Sequence, residues 1–120
     1  MNTKTLLAAA SVTLFALLAA GVQAQPVMKD GALTDTAGRT VYIFDKDEAN
    51  KSNCAGACLV NWPVYSAPAG ASAKGDYGVI DNAGTRQWTV KGKPLYYFIG
   101  DTKAGDRNGD GKAGVWHLVK

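Results

Sequence analysis

Short apolar runs separated by turn residues make up the chain after residue 24. The runs are rich in Val, Ile, Thr, Tyr, Trp and Phe, and Gly, Asp and Asn stand between them. No stretch keeps a helical period, so at most a turn or two of helix is expected. This pattern predicts an all-β fold, a small antiparallel barrel or sandwich.

The pattern also places the individual strands. Val27 to Leu33 is predicted to run into a turn at residues 35–38 and form a hairpin with the strand that follows. Tyr77 to Ile80 and Arg86 to Val90 are predicted to form a second hairpin. A tight turn at residues 91–93 leads to the next strand, residues 115–119 form the last one, and residues 48–74 form a long loop.

An internal repeat relates two segments of the chain. Residues 38–47 align with residues 92–101 at a constant offset of 54, and their Gly, Tyr, Phe and final Asp coincide. Tyr and Phe stand two positions apart, so they share one face of a strand, while the apolar residues between them cover the other face. Strands apolar on both faces are central strands. The fold is therefore predicted to consist of two pseudo-repeated hairpin halves, with the repeat motif at Tyr42, Phe44, Asp47, Tyr96, Phe98 and Asp101.

Several further motifs accompany this repeat. Cys54-x-x-x-Cys58 precedes Trp62-Pro63, and the chain ends in Gly-Val-Trp-His and three more residues. Together with the two repeat motifs, these features closely resemble the bacterial "secreted repeat" family, predicted lipoproteins with a Tyr-x-(Phe/Trp/Tyr)-x-x-Asp motif. The resemblance covers nearly the whole chain after residue 24. It implies an extracytoplasmic β-rich module of unknown function, with no catalytic residues to transfer.

The first 24 residues have the three parts of a secretory signal peptide. Lys4 gives a positive start, an apolar run follows from Leu6, and Val22-Gln23-Ala24 provides small residues for cleavage. The run to Gly21 has 16 residues, fewer than the roughly 20 that span a bilayer. An uncleaved N-terminal anchor is the alternative. We predict a signal peptide at residues 1–24 and one domain at residues 25–120.

The cysteine positions and the charge refine the predicted location. Many proteins of the resembled family are acylated on a Cys directly after the signal, but the first Cys here is Cys54. The protein is therefore expected to be periplasmic or secreted, soluble and not lipid-anchored. Without Lys4, 12 of the 13 basic residues face 10 acidic ones, a net charge of +2. No basic stripe and no later apolar span are present in the sequence, so neither nucleic acid nor a membrane span is expected.

Cys54 and Cys58 are the only cysteines, and an even pair in an oxidising compartment favours a structural disulfide. A redox pair is one alternative, although the three-residue spacer differs from that of thioredoxin-like enzymes. A copper site is another, with His117 and Met28 as the available partners in the mature chain.

A second candidate site lies near the C-terminus. Asp106, Asn108 and Asp110 match the first half of a calcium loop, with Gly111 allowing the sharp turn. The twelfth position is His117 rather than Glu, and no flanking helices are predicted, so the loop is not an EF-hand. Asp101 could add a ligand. The alternative is a plain Gly/Asp/Asn turn between two strands.

No catalytic constellation emerges from these residues. His117 is the sole His, and no Ser stands in a nucleophile-elbow context. On a strand it would face away from Trp116 and Leu118, towards the surface or a cleft. We therefore expect a non-catalytic binding or interaction module without a cofactor, whose partner is an unidentified envelope ligand or protein. The alternative is a cell-envelope protein linked to calcium at residues 106–111, or to copper or thiol redox chemistry at the Cys pair.

Overall fold

The computed structural model describes residues 24–120, so the predicted signal peptide lies almost entirely outside the described residues. In that part of the chain the structure consists mostly of short strands in antiparallel sheets, which confirms the all-β class. The described strands do not close into a barrel. The strands are β1 (Val27–Lys29), β2 (Ala32–Thr34), β3 (Tyr42–Phe44), β4 (Tyr77–Asn82), β5 (Thr85–Val90), β6 (Lys93–Pro94) and β7 (Trp116–Leu118).

Three two-residue turns connect neighbouring strands, and each ends in Gly. Asp30-Gly31, Ala83-Gly84 and Lys91-Gly92 all have positive φ at both positions. This is the geometry of the hairpin turn that matches strand twist, and Gly accepts it without steric cost. The turns join β1 to β2, β4 to β5, and β5 to β6.

The first of these turns corrects a sequence-based expectation. The prediction of one continuous strand from Val27 to Leu33 is wrong, because Asp30-Gly31 folds this segment back on itself. The predicted turn at residues 35–38 is present as well. There the Asp35 N–H donates to the Arg39 carbonyl at 2.9 Å, and Thr34 bridges Thr40. The second predicted hairpin forms as β4 and β5.

The two repeat segments pair with each other at the centre of the molecule. The Tyr42 N–H donates to the Tyr96 carbonyl at 2.8 Å, and the Tyr96 N–H donates to the Tyr42 carbonyl at 3.0 Å. Tyr42 pairs on its other side with Leu118 in β7, and Tyr96 bridges Val64. Val64 and Leu118 are themselves 54 positions apart. The two halves are therefore related by an approximate two-fold axis between the two tyrosines, and each repeat segment has a neighbour on both sides.

Two hydrophobic cores lie on opposite faces of this central pairing. Tyr42, Tyr96 and the tryptophans Trp62 and Trp116 lie in one core, together with Cys54. Leu33, Val41, Tyr65, Trp88, Val90, Leu95 and Tyr97 lie in the other. The expected division of the repeat strands into two apolar faces is confirmed except at Ile99, which is 54% exposed.

Two loops of similar length connect the repeat strands to the rest of the chain. The first loop contains the short helix α1 (Ala57–Asn61), within the segment predicted as a long loop. The second loop contains a single 3-10 turn (Lys112–Gly114) before β7. Each loop leads from a motif Asp to a core Trp, and these two loops position the features described next.

Candidate functional site

The motif tyrosines and aspartates are bonded crosswise between the two repeats. The Tyr42 hydroxyl donates to Asp101 Oδ2 at 2.6 Å, and the Tyr96 hydroxyl donates to Asp47 Oδ2 at 2.7 Å. Each Tyr therefore binds the Asp of the other copy, not that of its own. The proximity of the motif Tyr and Asp side chains follows from this exchange across the two-fold axis.

The other oxygen of each motif aspartate holds a loop in place. Asp47 Oδ1 accepts the Asn53 backbone N–H at 2.6 Å, and Asp101 Oδ1 accepts the Asn108 backbone N–H at 2.9 Å. The two Asn side chains donate to corresponding carbonyls, those of Lys46 and Gly100, which are 54 residues apart. Each carboxylate thus links a core tyrosine to the start of a returning loop.

Burial determines the protonation of these groups. Desolvation, strengthened by the hydrogen bond to Asp101, raises the pKa of Tyr42 well above its usual value. Desolvation is also the largest cause of the raised pKa of Tyr96. It raises the pKa of the Asp47 carboxyl too, against the opposing effect of the Asn53 N–H. Both tyrosines are therefore neutral hydrogen-bond donors at neutral pH, and neither is a ready general base.

Four aromatic rings form a continuous stack beside these hydrogen bonds. Trp62 and Trp116 lie parallel, with ring centroids 3.7 Å apart and an interplanar angle of 2°. Phe98 packs on the outer side of Trp62 at 4.4 Å, and Phe44 packs on the outer side of Trp116 at 4.3 Å. Each motif Phe thus contacts the Trp of the other repeat. We call this set (Phe98, Trp62, Trp116 and Phe44) the four-ring stack.

The family model for the "Secreted repeat of unknown function" matches the chain in two segments, residues 27–65 and 79–120. These segments cover more than half of the chain and correspond to the two structural halves. The chain belongs to this family. No curated protein and no solved structure matches it.

The structure extends the repeat beyond the ten positions that sequence alignment identified. Trp62 and Trp116 are separated by the same 54 positions as the motif residues, and so are the loop carbonyls of Lys46 and Gly100. Asn53 and Asn108 are separated by 55 positions, so the second loop has one more residue before its Asn and one fewer between that Asn and its Trp. The equal offset of the two tryptophans is visible in the sequence and would have predicted their pairing.

The disulfide predicted between Cys54 and Cys58 is present in this secreted repeat. Cys54 is 1% exposed and packs in the core that contains the four-ring stack, whereas Cys58 is half-buried in α1. The Trp62 N–H donates to the Cys58 carbonyl at 2.9 Å, at the end of that helix. The disulfide therefore anchors the short helix that positions Trp62.

The three residues of the proposed calcium loop point to different local partners. Asp106 Oδ2 accepts the backbone N–H groups of Thr102 and Lys103, at 2.9 and 3.2 Å. Asp110 Oδ1 accepts the Leu118 N–H at 3.2 Å, and Asn108 Nδ2 donates to the Gly100 carbonyl. Within residues 24–120, no three His, Cys, Asp or Glu side chains converge on one point. The calcium site remains a prediction from the sequence.

His117 lies on the surface, on the side of β7 opposite to its buried neighbours Trp116 and Leu118, as expected. Its Nε2 is 2.7 Å from Asp45 Oδ2, and both side chains are about half exposed. The pair links β7 to the residue that follows β3.

Two adjoining clefts open on the surface beside the repeat strands. The larger cleft, which we call the apolar cleft, has a volume of about 420 Å³. Its apolar walls come from β1, β2, β3, β5 and β7, and its lining residues are Met28, Leu33, Ile43, Asp76, Tyr77, Val90, Lys91, Lys93, Leu118, Val119 and Lys120.

The smaller cleft, which we call the acidic cleft, has a volume of about 220 Å³. Three carboxylates line it, and it shares Ile43, Lys91 and Lys93 with the apolar cleft. Its complete lining is Ile43, Phe44, Asp45, Asp47, Glu48, Ala49, Lys91, Gly92 and Lys93. No local pattern in the sequence points to either cleft, because their walls come from strands distant along the chain.

Proposed function

We propose that this secreted repeat is a non-catalytic binding module of the cell envelope that holds a small ligand with an apolar chain in the apolar cleft. The observation that carries this proposal is the cleft itself. Its volume falls within the range typical of small-molecule sites, about 300 to 1,000 Å³. Seven of its eleven lining residues are apolar or aromatic and four are charged, a combination that is usual in such sites.

The repeat motif is the scaffold of the module in this proposal. Both motif tyrosines and both motif aspartates are engaged with each other and with loop backbone. The two tryptophans at the centre of the four-ring stack are buried. Since these groups satisfy one another, the motif leaves the neighbouring surface as the ligand-binding part of the fold.

Membership of a secreted family supports a function outside the cytoplasm. The described part of the chain contains no helix long and apolar enough to cross a membrane. We extend these findings to a protein that is exported by residues 1–24, is periplasmic or secreted, and carries no lipid anchor, since its first Cys is Cys54. Intact mass of the mature protein tests this extension, because an acyl chain or a retained signal would add mass.

The alternative functions receive less support from the geometry. A redox or copper role needs accessible thiolates, but the sulfurs of Cys54 and Cys58 are bonded to each other and Cys54 is buried. A calcium role needs converging oxygens, but those of Asp106 and Asp110 are held by separate backbone groups.

Decanol tests the binding proposal, because it has a single apolar chain and no charge. In ¹⁵N–¹H NMR spectra of the mature protein, decanol should shift the amide signals of Met28, Tyr77 and Val119, which line the apolar cleft. Met28→Gln should weaken binding several-fold, since it makes one wall polar. Ile99→Gln is the matched control, because both side chains are 54% exposed and only Met28 lines the cleft. Shifts confined to other surfaces would refute the proposal.

A further inference from the structure

The two clefts form one groove with an ordered sequence of chemistry. The apolar cleft ends at Lys91 and Lys93, and these same residues line the acidic cleft. Ile43 also lines both clefts. A molecule lying along the groove would therefore meet an apolar surface first, then ammonium groups, then carboxylates.

The cationic part of the groove is carried by the turn between β5 and β6. Lys91 and Lys93 flank Gly92 in this two-residue hairpin, and both side chains are exposed. Lys120 lines the apolar cleft as well, and Asp76 is the acidic side chain on that cleft. Lysine side chains at the end of an apolar wall fit an anionic group attached to an apolar chain.

The acidic part of the groove contains Asp45, Asp47 and Glu48 around the half-buried ring of Phe44. Asp47 is already engaged by Tyr96 and the Asn53 N–H, and Asp45 is paired with His117. Glu48 Oε2 accepts a hydrogen bond from Asn53 Nδ2 at 3.3 Å and lies 3.7 Å from Lys51 Nζ, and its side chain is 66% exposed. A carboxylate beside an aromatic ring is a suitable environment for an organic ammonium group.

We propose that the ligand of this groove is a zwitterionic amphiphile with a single chain, in which an anionic group follows the chain and an ammonium group lies beyond it. The chain occupies the apolar cleft, the anionic group contacts Lys91 and Lys93, and the ammonium group lies beside Phe44 and Glu48. This inference rests on the proposed binding function and specifies the class of ligand. The chemistry is that of a single-chain lipid with a phosphocholine or phosphoethanolamine head group.

Calorimetric titration with a series of ten-carbon probes, each below its micelle-forming concentration, tests this inference. The probes are decanol, decyl phosphate, decylphosphocholine and decyltrimethylammonium, with free phosphocholine as the probe that lacks the chain. Decylphosphocholine should bind most tightly and decyl phosphate next. Decyltrimethylammonium and free phosphocholine should bind at least about tenfold more weakly, since each lacks one charge-assisted or apolar contact.

Two variants assign the head-group contacts. Lys93→Glu should weaken binding of the phosphate and phosphocholine probes about tenfold more than it weakens binding of decanol, which has no charged group. Lys46→Glu is the matched control, because it makes the same charge change at an exposed residue outside both clefts. Glu48→Gln should weaken decylphosphocholine and leave decyl phosphate unchanged or slightly tighter, with Asp30→Asn as the acidic control outside the groove.

The failure of this inference is distinguishable from the failure of the proposed function. If decanol shifts the cleft amides but all charged probes bind equally, or decyltrimethylammonium binds most tightly, the head-group assignment is wrong and the binding function stands. Free phosphocholine binding as tightly as its decyl derivative would also overturn the assignment. If no probe affects the cleft amides, both proposals fall.

Discussion

The two loops that connect the motif aspartates to the stacked tryptophans have the same task and different construction. Trp62 follows Asp47 by 15 positions, and Trp116 follows Asp101 by the same 15. The first loop is closed by a disulfide and contains a five-residue helix. The second has no Cys and contains a single 3-10 turn, and it is held by backbone N–H groups that donate to the carboxylates of Asp106 and Asp110.

The ends of the loops are equivalent although their interiors are not. Both begin with a carboxylate that accepts a tyrosine hydroxyl from the other repeat, and both end in a tryptophan of the four-ring stack. The approximate two-fold core therefore determines where each loop starts and finishes. Between the motif Asp and the stacked Trp, one loop is closed by a disulfide and the other by hydrogen bonds, and both reach equivalent end points.

Removing one ring from the centre of the four-ring stack should have the largest effect on stability and tests whether the two loop ends are equivalent. Trp62→Ala and Trp116→Ala should each cost about 3 to 5 kcal/mol in the free energy of unfolding, as for large aromatic truncations in a core. The two losses should be similar, because the packing around the two rings is related by the two-fold axis. Urea unfolding monitored by circular dichroism measures both. Trp→Phe at each position keeps the comparison measurable if the Ala variants do not fold.

Removing the crossed Tyr–Asp hydrogen bonds should destabilise the protein to a different extent in the two halves. Tyr42→Phe leaves Asp101 Oδ2 and the Gly109 N–H without a partner, and Asp101 is only 6% exposed, so we expect a loss of about 2 to 3 kcal/mol. Tyr96→Phe should cost about 1 kcal/mol, because Asp47 is only half-buried and can gain water.

Double-mutant cycles on the crossed pairs give the control. Tyr42 should couple to Asp101 in a Tyr42→Phe and Asp101→Asn cycle, and the Tyr42–Asp47 cycle, which follows the order along the chain, should show no coupling. Coupling within a repeat and none between repeats would contradict the crossed arrangement.

Removing the disulfide tests how much it contributes to the free energy of unfolding. Replacing both Cys54 and Cys58 by Ala should cost about 2 kcal/mol from the chain entropy of so short a loop. The fold should persist, because the second loop achieves the same end points with hydrogen bonds alone. Unfolding of the variant in urea, with Trp fluorescence as the probe, measures the loss. A variant that no longer folds would show that the two closures are not equivalent.

Sequence reasoning reached the β class, the repeat strands and the disulfide because these depend on local patterns. Tyr42 and Phe44 alternate with apolar residues, and two cysteines four positions apart in an exported chain have one obvious partner each. The turn at Asp30-Gly31 was not predicted, although that dipeptide is a strong hairpin signal, because the two strands that it joins have only three residues each and show little pattern of their own.

The crossed bonds and the clefts were beyond sequence reasoning for a different reason. Whether Tyr42 meets Asp47 or Asp101 depends on how two distant segments pair, and both aspartates follow a motif at the same spacing. The groove is formed by Met28, Lys93 and Val119, which come from three distant segments of the chain. Such juxtapositions depend on tertiary packing, which no local period encodes.

The smallest effect expected from the two loops is an opposite response to acid. Desolvation raises the pKa of Asp47 above its ordinary value of 3.8, so its stabilising contribution is present below that value and is lost as the pH rises through the folded-state pKa. The Thr102 N–H lowers the pKa of Asp106, so its contribution is present above 3.8 and is lost as the pH falls through the folded-state pKa.

Asp47→Asn and Asp106→Asn convert this difference into a measurement of unfolding free energy between pH 7 and pH 3. The free energy of unfolding of Asp47→Asn, relative to that of the unchanged protein, should be highest at pH 7. This difference should fall with the pH, because protonation of Asp47 then stabilises the unchanged protein. The relative free energy of unfolding of Asp106→Asn should be lowest at pH 7 and should rise as the pH falls, because the unchanged protein then loses the contribution of the Asp106 carboxylate. Ser72→Ala, an exposed change without a titratable group, should give a flat difference. Two profiles sloping in the same sense would show that the two loops do not carry opposite electrostatic environments.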